Sequence, residues 1–113
     1  MSHSISREDL KSLIDSGRKP TLIEALPKQY YEDEHLPGAI NIPHDEVQAY
    51  ASHLIPHKSE VVVVYCASAE CKNSHVAAET LRQLGYTQVY EYVEGKEGWK
   101  EAGLVLEKSG GSS

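Results

Sequence analysis

The chain has 113 residues, 40% of them hydrophobic, enough for one compact core and too few for two ordinary domains. Its formal net charge of −6 argues against a basic nucleic-acid face and against electrostatic attraction to anionic lipid. The longest apolar run, from Val61 to Cys66, is far too short to span a bilayer. The segment from Met1 to Glu8 lacks the apolar stretch of a secretory signal, so a cytoplasmic protein is expected.

Ser6 followed by Asp9 resembles a capping box, with Ile5 and Leu10 as a hydrophobic staple. Leu10, Leu13 and Ile14 then give a helix one apolar face, and Gly17 supplies its stop. Thr21 to Ala25 reads as a short strand, and Pro27 opens a short helix through Tyr30 and Tyr31. After a turn at Pro37-Gly38, Ala39 to Ile42 is a second strand ended by Pro43. Asp45 is placed to cap a helix in which Val47, Tyr50, Ala51 and Leu54 share one face.

Val61 to Tyr65 is the strongest strand signal. Its β-branched run without alternation predicts a parallel strand covered on both faces. Asn73 or Ser74 is expected to cap the next helix, with Val76, Ala77, Leu81 and Leu84 as its buried stripe before Gly85. Gln88 to Tyr92 is a further strand, and Lys96 to Ala102 a short helix around Trp99. Strands alternating with helices predict an α/β domain over residues 5–107 with a mainly parallel central sheet flanked by helices, followed by a polar, flexible tail over 108–113.

Two cysteines occur, Cys66 and Cys71, too few for a disulfide framework; in a reducing compartment they read as reactive thiols. Cys66 ends the best strand, and ligand chemistry in open α/β sheets gathers at the carboxyl ends of strands. The segment that follows, Ala67-Ser68-Ala69-Glu70-Cys71-Lys72-Asn73 up to Ser74, is built mainly of small or polar residues. Such a loop can turn successive backbone N–H groups inward as an anion-binding nest, and the next helix adds its positive end. A thiol there is expected to favour its thiolate, as nucleophilic cysteine catalysis requires. The competing reading of Cys66 is a small core residue at a strand end.

His35-Leu36-Pro37-Gly38-Ala39-Ile40-Asn41-Ile42-Pro43 resembles the "H-I-P-G-A-x-N-I-P" segment of the rhodanese family. Val63-Val64-Tyr65-Cys66 is similar to the strand leading to that family's active cysteine. Leu84-Gly85-Tyr86-Thr87-Gln88-Val89 resembles its "L-G-Y-x-x-V", and Glu94 to Trp99 its "G-G-x-x-x-W". The ordered set spans about Ile5 to Glu107. The resemblance implies a single rhodanese-like domain, a sulfurtransferase carrying sulfur as a persulfide on Cys66, and neither a metal nor an organic cofactor. The implied partners are a small sulfur-containing substrate (thiosulfate or polysulfide), a protein persulfide, and a thiol or cyanide acceptor. Neither nucleic acid nor membrane is expected as a partner, and the chain is expected to be a monomer or weak homodimer.

Three departures qualify that likeness. The family's "L-I-D-x-R" appears as Leu22-Ile23-Glu24-Ala25-Leu26, so the ion pair of that arginine is expected to be absent. The active loop is longer than the family's usual one, and Cys66 with Lys72 has the C-x5-R spacing of phosphatases and arsenate reductases on this fold. A thiol-dependent oxyanion reductase or phosphatase is therefore an alternative, disfavoured because lysine offers a point charge where arginine offers a bidentate fork. Finally, Cys71 lies inside the loop. It can act as a resolving thiol that forms a disulfide with Cys66, or face the core as a small apolar residue. The pair also permits a non-catalytic sulfur-carrier or redox-sensing module. Ser74 reads as an N-cap rather than a catalytic hydroxyl, Lys72 as a substrate attractor or a solvated loop end, and His75 as solvated. Trp99 is expected in the core or at the pocket entrance.

Overall fold

The computed structural model describes residues 4–17 and 20–108. Helix α1 (Arg7–Asp15) begins where the Ser6 hydroxyl accepts a hydrogen bond from the Asp9 N–H at 3.1 Å. Leu10 is fully buried and Ile5 packs against the same cluster, as a staple requires. Gly17 follows the helix at φ +82°, a left-handed conformation that favours glycine.

Strands β1 (Thr21–Glu24), β2 (Ile40–Asn41), β3 (Val61–Tyr65) and β4 (Gln88–Tyr92) form one parallel sheet in the order β2-β1-β3-β4. The register sets Glu24 beside Tyr65 and Tyr65 beside Tyr92, so three side chains share the carboxyl edge. β3 is central and sends successive residues to opposite faces. Val62 and Val64 meet Val47 and Ala51 of α3 (Val47–Leu54) and Ala77 and Leu81 of α4 (Asn73–Gln83). Val63 and Tyr65 meet Leu10, Leu36, Tyr92 and the Trp99 of α5 (Gly95–Glu101). Burial on both faces explains why the β3 run shows no polar alternation. Helix α2 (Lys28–Asp33) follows Pro27 and leads back to the edge strand β2.

Several boundaries differ from the sequence expectation. β2 keeps only Ile40 and Asn41 of the four residues from Ala39 to Ile42. Glu46, not Asp45, occupies the N-cap of α3 and makes no side-chain cap bond. Tyr50 and Leu54 are half exposed, because α3 turns its Val47–Ala51 edge to the core. In α4 the buried stripe is Ser74, Ala77, Ala78 and Leu81, a regular i, i+3, i+4, i+7 pattern. That rotation leaves Val76 43% exposed. Ser74 is therefore not the cap. The helix starts one residue earlier, and Ser74 faces inward while Lys72 holds the cap position without a side-chain bond. Trp99 is a core residue, its indole N–H donating to the Val105 carbonyl at 3.1 Å. Of the tail, residues 109–113 lie outside the described residues.

Candidate functional site

Cys66 follows β3 directly and is 1% exposed. The chain then makes a turn in which the Cys71 N–H donates to the Ser68 carbonyl at 3.2 Å. That turn carries Cys71 back to Cys66, and the two sulfurs are joined in a disulfide with Cα atoms 6.2 Å apart. Cys71 therefore faces its loop neighbour, and the core alternative for it is set aside. Unlike Cys66 it is partly exposed. Among the described residues the backbone N–H groups of Ala67, Ser68, Ala69, Glu70 and Lys72 donate to no protein acceptor, which leaves them available to an anion or a terminal sulfur.

Helix α5 holds the other side of the loop. The Lys96 and Glu97 N–H groups donate to the carbonyls of Cys66 (3.0 Å) and Ala67 (2.8 Å). Gly95, at φ +67°, makes this approach possible. A Cβ on it would lie 2.5 Å from the Cys66 carbonyl oxygen and 2.9 Å from the Ser68 nitrogen.

Beneath Cys66 lies a polar network that the sequence did not announce. Glu24 is fully buried and accepts from the Tyr65 hydroxyl at 2.8 Å and from Lys96 Nζ at 3.0 Å. Lys96 Nζ also donates to the carbonyls of Tyr30 (3.0 Å) and Glu34 (2.7 Å), so all three ammonium protons find acceptors. The Tyr65 hydroxyl in turn accepts from the Leu36 N–H at 3.1 Å. Burial pushes the Glu24 carboxyl up, while hydrogen bonds from Tyr65 and Lys96 pull it part of the way back. Burial likewise pushes the Tyr65 phenol up, reinforced by the Glu24 charge. The acidic position kept by Glu24 thus has a cation after all: Lys96, 72 positions away, where the family's arginine is missing. Separation of that size leaves no local pattern to read.

The remaining loop candidates divide. Ser68 donates its hydroxyl to the Glu70 carboxylate at 3.2 Å, and both stay at the surface. Lys72 is exposed: its carbonyl accepts from the Val76 N–H at 3.1 Å, and its ammonium makes no ion pair among the described residues. Asn73 begins α4 at half burial, and Ser74 spends its hydroxyl on the buried Glu91 at 3.0 Å. His75, half exposed, sets Nδ1 3.6 Å from that same carboxylate. His35 is structural: it stacks on Tyr31 at 3.9 Å, and its Nδ1 donates to the Tyr31 carbonyl at 2.8 Å. Beside Ala67 a cleft of about 460 Å³ opens, lined by Tyr30, Asp33, Glu34, Lys96, Glu97 and Lys100. A larger hollow of about 690 Å³, between α2 and α3, holds no thiol. Among the described residues no three His, Cys, Asp or Glu side chains gather as metal ligands, and no helix is long and apolar enough to cross a membrane.

The family model described as "Rhodanese-like domain" matches residues 6–102. The thiosulfate sulfurtransferase PspE of Escherichia coli is 42% identical over 64 residues, 57% of this chain and 59% of its own. A proposed sulfur carrier of Bacillus subtilis, YrkF, is 30% identical over 84% of this chain and 49% of its own. The chain thus spans about half the length of the curated relatives it matches. Among solved structures, the BH2092 protein of Bacillus halodurans superposes with a TM-score of 0.88 at 26% identity, covering 96% of this chain and 78% of that one. The human single-domain sulfurtransferase TSTD1 superposes at 0.77 with 26% identity, covering 89% and 97%.

Proposed function

The chain belongs to the rhodanese-like domain family, which holds sulfurtransferases and sulfur carriers, and from that premise we propose that it moves sulfane sulfur as a persulfide on Cys66. One observation carries this reading. The cysteine stands at the carboxyl end of the central strand, beside loop amides that no protein acceptor uses. In the reduced chain the Cys66 thiolate attacks the outer sulfur of a donor such as thiosulfate. The S–S bond of the donor breaks, sulfite leaves with the electron pair, and Cys66–S–SH remains. The free amides and the first turn of α4 favour the negative charge of the persulfide. An acceptor, cyanide or a thiol, then attacks the terminal sulfur and restores the thiolate.

The surroundings bear on which donor fits. Asp33, Glu97 and the exposed Glu70 oppose a dianion, while Lys100 is already paired with Glu34 at 2.9 Å. A singly charged persulfide, on a small thiol or a partner protein, suits that rim better than thiosulfate does.

The test is thiocyanate formation from thiosulfate or inorganic polysulfide with cyanide as acceptor. Cys66→Ser is expected to abolish turnover while the circular dichroism spectrum and Tm of the reduced chain hold. Turnover that survives Cys66→Ser would contradict the assignment.

A further inference from the structure

Resting on the reading that Cys66 becomes a persulfide, we propose that Cys71 resolves it, so that the chain releases inorganic sulfide as well as handing sulfur to an outside acceptor. The bond between the two sulfurs forms with both α5 clamps in place, Lys96 N–H on Cys66 and Glu97 N–H on Ala67. Neither β3 nor α4 has to move. The Ser68–Cys71 turn alone brings Cys71 Sγ onto Cys66 Sγ, the inner sulfur of the persulfide.

The step balances internally. The Cys71 thiolate attacks Cys66 Sγ, the Cys66–S–SH sulfur–sulfur bond breaks, and the outer sulfur leaves as HS⁻ with that bond's electron pair. The outer sulfur is reduced to sulfide, the two cysteines are oxidised to the Cys66–Cys71 disulfide, and no outside oxidant takes part. Return to the dithiol takes two equivalents of a thiol reductant. Cys71 is the partly exposed sulfur and Cys66 is 1% exposed, so the incoming thiolate meets Cys71. Cys66 departs as the thiolate beside the unpaired loop amides, ready for the next donor. Over a full cycle, thiosulfate and two thiols give sulfite, sulfide and the reductant's disulfide.

The experiment mixes the anaerobically reduced full-length chain with equimolar thiosulfate, no other thiol being present, and follows intact mass and free sulfide. Inorganic polysulfide serves as a second donor for the mass readout. The wild-type chain is expected to end lighter by two hydrogens with one sulfide released per chain. Cys71→Ser should end heavier by one sulfur and release sulfide at least about a hundredfold more slowly, the intramolecular thiol being gone. Cys66→Ser should not change. A wild-type chain that keeps the added sulfur and frees no sulfide would overturn the role of Cys71 and leave the persulfide standing. Added sulfur found on Cys71 by peptide fragmentation would overturn it too, showing attack on the outer sulfur. A Cys71→Ser chain that takes sulfur from neither donor would overturn the persulfide and this inference together.

Discussion

Lys96 and Tyr92 show how single side chains near the site set the energetics. Lys96 Nζ is the cationic partner of the buried Glu24, so removing it strands a carboxylate in the interior. Lys96→Met is expected to cost about 3–5 kcal/mol at neutral pH, measured by urea unfolding of the reduced chain. The deficit should shrink as the pH falls through the carboxylate range, because a protonated Glu24 no longer needs the cation. Adding Glu24→Gln should restore part of the loss, and a double mutant no more stable than Lys96→Met would contradict the pairing. Tyr92 presents the opposite case. It is fully buried, and its hydroxyl finds no hydrogen-bond partner among the described residues. Tyr92→Phe is therefore expected to be neutral or to stabilise by up to about 1 kcal/mol, where an ordinary buried tyrosine would lose stability.

At the scale of elements, the short helix α5 decides the shape of the reactive loop. Gly95 lets its first turn approach within hydrogen-bonding distance of the Cys66 and Ala67 carbonyls. Gly95→Ala places a methyl group against backbone that cannot yield and forces a side chain into a positive φ. The expected result is a loss of about 2–4 kcal/mol and a larger proportional loss of thiocyanate turnover, since loop and helix must separate. A variant with unaltered turnover would show that the clamp is dispensable. How far the elements were legible follows from what their signals were made of. The β3 valine run and the Ser6 cap are local patterns, and both appear in the structure where the sequence put them. The inward face of α4 was misread because its first member, Ser74, is polar and its burial depends on Glu91, a partner from strand β4. The Glu24–Lys96 contact joins β1 to α5 across the whole domain and had no local signature. The meeting of Cys66 with Cys71 was legible as a possibility from spacing; the Ser68–Cys71 turn decided it.

For the whole molecule, the tyrosines give a pH dependence whose sign follows from their surroundings. Burial pushes Tyr92 from the ordinary value of 10.0 up to about 12, and raises Tyr65, Tyr86 and Tyr31 in the same direction. The folded chain therefore keeps phenolic protons that the unfolded chain gives up, and the unfolded state binds fewer protons above pH 10. Stability is intact below that pH and falls as pH rises through it, by up to about 1.4 kcal/mol per pH unit for each such tyrosine. Urea midpoints collected across the alkaline range should show the decline, and Tyr92→Phe should make it shallower. The whole-chain α/β order was readable because strand and helix signals alternate cleanly along the sequence, and the four-stranded parallel sheet with flanking helices agrees with its solved relatives. Sulfur carriage on Cys66 is read out by intact-mass spectrometry of the reduced Cys71→Ser chain after thiosulfate or polysulfide treatment. The expected result is a gain of one sulfur that peptide fragmentation places on Cys66 and that disappears when Cys66 is also changed to serine. An unchanged mass, or a gain that survives the loss of Cys66, would contradict it.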